Sequence, residues 1–172
     1  MRLKVLSVLI ALCVLALGWD WWIHRQAPGD AAVAGAMPTA LQAEALVPYV
    51  NPAARFTVVH FWATWCPPCM VEMPNVLPVL KQLPPDIAVT MVSLDNPSPA
   101  AFYAKEQITV TDRVDGLASW VNDPEQARAK QILGKVMLPT TLIVDGATGR
   151  IVQQIDGPLV WPPLMAALEK LD

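Results

Sequence analysis

Histidine occurs twice and cysteine three times in these 172 residues, which leaves few side chains for a metal centre. A closed zinc site takes four Cys or His ligands. Outside the apolar N-terminus the chain offers only Cys66, Cys69 and His60, too few for one. Positive charge is also scarce: 12 Lys and Arg stand against 15 Asp and Glu, giving a net charge of −3 with no basic block. That balance argues against a nucleic-acid partner. Arg2, Lys4 and Arg25 belong to the N-terminal leader, so the remainder is more acidic still. No internal repeat is present, and the length suits one domain with a full hydrophobic core.

What the chain does have is a targeting segment at 1–25. Arg2 and Lys4 form a positive n-region, and no charge interrupts Val5 to Gly18. "AVA" (32–34) and "AGA" (34–36) are small-residue cleavage sites of the kind that follow a signal peptide. Both lie far downstream of the apolar run, which continues through Trp19, Trp21, Trp22 and Ile23. Leu3 to Ile23 is about 21 residues, enough for one bilayer crossing, and a Trp cluster at its exit suits an interfacial belt. An uncleaved single-pass anchor with its N-terminus inside is the favoured reading; secretion after cleavage is the alternative. Residues 26–40 read as a linker, and 41–172 as the globular domain.

Within that domain, 38–50 reads as a short helix or turn-rich lead-in, and "RFTVVHFWA" (55–63) as a buried central strand. Pro67 and Pro68 open a helix expected to reach about Leu83 and to be ended by Pro84-Pro85. Residues 87–94 form the next buried strand and 96–107 a helix, while "ITVTDRV" is a short edge strand or a loop. Residues 122–133 read as a helix with Asp123 as N-cap. "TTLIVD" (140–145) and "RIVQQID" (150–156) form a hairpin around "GATG". An amphipathic helix closes the chain, with Leu164, Met165, Leu168 and Leu171 on its apolar face. The pattern predicts an α/β fold with a mixed sheet covered by helices on both faces.

Cys66 falls where the central strand gives way to a helix. A thiolate there meets free backbone N–H groups and the positive end of the helix dipole, which lower a cysteine pKa. Cys69, one turn deeper, is expected to be shielded. An exposed thiolate that attacks and a covered thiol that resolves are the two parts of thiol–disulfide exchange. A structural staple is a poor alternative, because a two-residue loop constrains the unfolded chain little. Copper binding by Cys66, Cys69 and His60 is the second reading. Glu72 shares a helix face with Cys69 and could take its proton, or could simply be an acidic residue favoured in an early helical turn. His60 is either a proton relay or a satisfied core histidine. Trp62 reads as core, and Trp65 as an exposed apolar rim for docking substrates.

"VVHFWATWCPPC", Pro74 five residues after Cys69, and "LPTTLIVDGATGRIV" together resemble the thioredoxin superfamily, and within it the membrane-anchored, extracytoplasmic TlpA/ResA-like branch. The resemblance covers roughly 40 to 172. It implies a thioredoxin-like mixed sheet behind an N-terminal transmembrane or signal-anchor helix. It implies protein disulfide oxidoreductase activity with Cys66 as nucleophile and Cys69 as resolving thiol, and no cofactor or metal beyond that redox-active pair. Pro139 is then cis and lies against the pair, leaving the backbone of Leu138 free to bind an extended substrate; Trp65 and Pro67 complete the substrate-contacting set. Glu72 matches a carboxylate thought to tune the thiols. His60 departs from the pattern, since that position holds Asp or Asn in the relatives. The implied partners are protein thiols and disulfides, apocytochrome c among them, and a membrane thiol-electron transporter. The implied setting is an inner membrane, with a monomeric catalytic domain in the periplasm working in the reducing direction.

Overall fold

A computed structural model describes residues 39–110 and 116–170. The leader and linker readings for 1–38 therefore fall outside the described residues. Among the described residues, no helix is long and apolar enough to cross a membrane.

Helix α1 (Ala40–Leu46) starts on a capping box, in which the Thr39 hydroxyl accepts the Gln42 N–H and the Gln42 side chain accepts the Thr39 N–H. A 3-10 turn, Val47–Tyr49, follows. Strand β1 (Phe56–Trp62) leads into helix α2 (Pro67–Leu80), then β2 (Ile87–Ser93) and α3 (Ala100–Lys105). Strand β3 (Ala118–Asn122), helix α4 (Ala127–Leu133), the hairpin β4 (Thr140–Asp145) and β5 (Ile151–Asp156), and α5 (Trp161–Leu168) complete it.

The five strands lie in the order β3-β2-β1-β4-β5. β1 pairs parallel with β2, and β2 with β3; β4 runs antiparallel to β1 and β5. β1 is therefore central, as its unbroken apolar run predicts. Its side chains alternate between two cores. Val58 and Trp62 pack with Met73, Val76, Trp161 and Met165 from α2 and α5. Val59 and Phe61 pack with Ala45, Leu46, Ala129 and Ile132 from α1 and α4. The result is a thioredoxin-like mixed sheet flanked by helices.

Four elements differ from the expectation. The helix expected over 96–107 is the shorter α3, Ala100–Lys105. Helix α2 ends at Leu80, because Leu83 precedes Pro84 and is steered away from helical backbone; the Lys81 N–H closes the last turn on Pro78 and Val79. Strand β3 was not expected. It is a five-residue edge strand, whereas the more β-like 108–110 upstream is not in a strand and 111–115 lie outside the described residues. Helix α4 begins at Ala127 after Gln126, whose φ is 58°, so Asp123 is not the N-cap residue. The Asp123 carboxylate still serves that helix, accepting the Ala129 N–H at 2.8 Å.

Candidate active site

Cys66 is the N-cap of α2, and it forms a disulfide with Cys69 across a Cα separation of 5.3 Å. Its Sγ accepts the Cys69 N–H at 3.3 Å. Two details correct the expectation. First, Pro67 and Pro68 occupy the first two helical positions and have no N–H, so the sulfur meets one backbone donor and not several. Secondly, Cys66 is not openly exposed: it retains 4% of its surface and Cys69 none. The difference has the expected direction but is small, because Sγ turns inward to bond Cys69 and its N–H. Trp65 beside it is 59% exposed, Pro67 is exposed, and Trp62 is fully buried among Phe102, Tyr103 and Trp120.

Because β4 is antiparallel to β1, with Phe61 opposite Thr140, the segment just before β4 lies at the same sheet end as Cys66. Leu138 and Pro139 occupy that segment, joined by a cis bond as the resemblance implied. Pro139 is buried, and its carbonyl accepts the Gly157 N–H. Leu138 is half-buried against the core holding both cysteines, and its own N–H and C=O have no hydrogen-bond partner among the described residues.

His60 shares a face of β1 with Val58 and Trp62, and therefore points at α2. Glu72, one turn beyond Cys69, is buried there and places Oε1 2.7 Å from His60 Nε2. Among the described residues, neither atom has another partner. Glu72 Oε2 accepts the Leu159 N–H at 2.8 Å, and His60 Nδ1 lies 2.9 Å from the hydroxyl of Thr141, its cross-strand neighbour. The Trp161 ring closes edge-on over the imidazole at 5.1 Å. Both ring nitrogens are thus engaged, and His60 presents none to the cysteine pair. The copper set of Cys66, Cys69 and His60 is not assembled for this reason. Among the described residues, no group of three His, Cys, Asp or Glu side chains converges on a metal position.

Sequence reasoning missed Thr141, the Leu159 amide and Asp95, whose carboxylate grips Thr64 in the turn before Cys66. Only the β1–β4 register reveals Thr141, and nothing in the sequence pairs Asp95 with a residue 31 positions away. A cavity of about 400 Å³ lined by Leu41, Glu44, Ala45, Pro48, Arg128 and Gln131 lies at α1 and α4, on the other side of the sheet from Cys69, and offers no thiol or imidazole.

The Redoxin family model matches residues 28–168. The chain belongs to the Redoxin family. Its similarity to a thiol:disulfide interchange protein DsbE homolog of Paracoccus denitrificans is 36% identity over 110 residues, 60% of this chain and 51% of that protein. With the thiol:disulfide interchange protein HelX of Rhodobacter capsulatus it is 36% over 106 residues, 61% of this chain and 54% of that one. The chain thus matches over about half the length of these curated relatives. Among solved structures, StoA from Bacillus subtilis superposes with a TM-score of 0.54 at 21% identity, covering 66% of this chain and 81% of StoA. A DsbF homologue from Corynebacterium diphtheriae gives 0.53 at 20% identity, covering 73% and 76%. These structures share the fold with this Redoxin-family chain, and the thioredoxin-superfamily resemblance read from the sequence stands.

Proposed function

We propose that the chain is a thiol–disulfide oxidoreductase acting on other proteins in the reducing direction. The observation that carries this reading is the Cys66–Cys69 disulfide at the head of α2, with Cys66 Sγ on a helix N-terminal N–H and a Leu138 backbone at the same sheet end that has no hydrogen-bond partner among the described residues. Reduced Cys66 attacks a substrate disulfide as a thiolate, and one substrate sulfur leaves as a thiol. Cys69, losing its proton, then attacks Cys66 Sγ and releases the second substrate thiol. Two electrons pass to the substrate and the Cys66–Cys69 disulfide is left behind. A dithiol donor, taken to be a membrane thiol-electron transporter, restores the pair. Leu138 pairs with the extended substrate, and Trp65, Pro67 and Pro139 shape its seat.

The direction is supported by how little stabilises the Cys66 thiolate. Pro67 and Pro68 remove two donors, and no Lys or Arg occurs between Arg55 and Lys81. A sparsely stabilised thiolate favours the disulfide form of the pair, the property of a reductant. Glu72, with His60 behind it, accepts the Cys69 proton during resolution. The two curated relatives named as thiol:disulfide interchange proteins support the same reaction class. Apocytochrome c thiols are the expected client class. Residues 1–25 are read as a single-pass membrane anchor and 26–40 as a linker. The domain from 41 to 172 then works as a monomer outside the cytoplasm, in a periplasm or its equivalent.

The test is a Cys69→Ser form of the full chain incubated with oxidised client protein. Without a resolving thiol, it should accumulate a mixed disulfide through Cys66 that dithiothreitol releases. Absence of such adducts, or equal adducts with Cys66→Ser, would refute the assignment.

A further inference from the structure

We propose that Asp95 is a positioning residue for Cys66, an inference that rests on the reading of Cys66 as the nucleophile. The residue follows β2 by two positions, where the Leu94 N–H makes a ladder bond to the Trp62 carbonyl at 2.9 Å. It is thus planted at the end of a buried strand pair, and only 4% of its surface is exposed. Its carboxylate gathers three donors. The Thr64 N–H reaches both oxygens, at 3.1 and 2.9 Å; the Thr64 hydroxyl donates to Oδ1; the Ser93 hydroxyl donates to Oδ2 at 2.8 Å. The Asp95 N–H in turn donates to Ser93 Oγ at 3.2 Å, which fixes the carboxylate against its own strand.

Two of the three donors belong to Thr64, the middle of the short turn between β1 and α2. Regular pairing stops at Trp62 and resumes at Pro67, and the turn has one backbone bond of its own, Cys66 N–H to Ala63 C=O at 3.2 Å. The Asp95 clamp supplies what the sheet and helix do not: a fixed point two residues before the reacting sulfur. Thiol–disulfide exchange needs the attacking sulfur in line with the bond it breaks, and a misplacement of about 1 Å can slow a reaction about a hundredfold. Hydrogen-bond acceptance by Asp95, rather than its charge, is what the turn uses.

The experiment measures the rate of oxidised glutathione reacting with the reduced full chain at one pH, alongside the Cys66 thiolate fraction by absorbance. Asp95→Ala should lower the rate constant per thiolate about tenfold or more, while Asp95→Asn, which keeps an acceptor for Thr64, stays within about threefold. Asp123→Ala is the control for stability alone. It removes an equally buried carboxylate that serves α4, and should lower the unfolding temperature without slowing exchange. Asp95→Ala reacting as fast as Asp123→Ala overturns the proposal, and so does Asp95→Asn as slow as Asp95→Ala. If Asp95→Ala does not fold, Thr64→Ala should slow exchange about threefold through the loss of one donor, and an unchanged rate overturns the proposal. An unsubstituted chain inert toward glutathione would remove the functional reading itself, and this inference with it.

Discussion

Glu72→Ala and Glu72→Gln should separate the architectural part of the buried pair from its chemical part. Both carboxylate oxygens are in use, Oε1 on His60 Nε2 at 2.7 Å and Oε2 on the Leu159 N–H at 2.8 Å. Alanine orphans both partners in a buried place. An unsatisfied buried group costs about 1–3 kcal/mol, so two give about 2–6 kcal/mol. Breaking a buried pair by deleting one member costs about 3–5 kcal/mol, within the same range. We therefore expect Glu72→Ala to lose about 3–5 kcal/mol. Glutamine can keep every contact. Its carbonyl accepts the Leu159 N–H and its amide donates to Nε2, provided the imidazole proton moves to Nδ1 and donates to Thr141. Its cost should stay below about 1 kcal/mol. Urea unfolding of the oxidised chain, followed by tryptophan fluorescence, measures both, with a constant m-value required for the comparison. Under the proposed role of Glu72 as acceptor of the Cys69 proton, both variants should also prolong the mixed disulfide. Glutamine as destabilising as alanine would refute the hydrogen-bond account, and alanine without effect would refute the pair's structural role.

His60→Asn should slow resolution of the mixed disulfide at a fixed pH, because Glu72 loses the imidazole behind it; an unchanged rate removes the relay. Burial pushes the Tyr103 hydroxyl up from 10.0 to about 12. Folding thus favours the neutral phenol, and the stability it adds is complete below pH 10 and is lost as pH rises through about 12. Tyr103→Phe should lose that alkaline component of the unfolding curve, and a variant with the full alkaline loss contradicts the assignment. Gly146 packs so closely on the 51–55 turn that an added Cβ would run into the Ala54 carbonyl oxygen. Gly146→Ala should therefore cost about 1–3 kcal/mol in urea unfolding, and wild-type stability would contradict the close approach.

Much of the fold was legible because hydrophobic runs and turn residues agree. Phe56–Trp62 is apolar on both faces and takes the sheet centre; "GATG" separates two strands that pair as a hairpin. Strand β3 is hidden because five edge residues carry little periodicity, and the β-branched residues lie upstream of it. Asp123 shows another limit: its carboxylate reaches a helix N-terminus across a turn, a geometry that the N-cap rule does not describe. In the site, the cysteine pair and its corner could be read directly. The His60–Glu72 contact could not, since it joins a strand face to a helix face 12 positions on and exists only once α2 packs on β1. The burial of Cys66 is hidden for a related reason: a helix N-terminus suggests exposure, but the sulfur turns inward toward Cys69.

The central claim is that Cys66 and Cys69 form a redox-active couple whose thiolate is sparsely stabilised. Its most direct test is the reduction potential of the pair, obtained by equilibrating the full chain with graded thiol–disulfide buffers. The account predicts a reversible two-electron couple nearer to the roughly −270 mV of thioredoxin than to the roughly −120 mV of a strong disulfide donor. A potential at the oxidising end, or a pair that cannot be reduced without unfolding the chain, would contradict it.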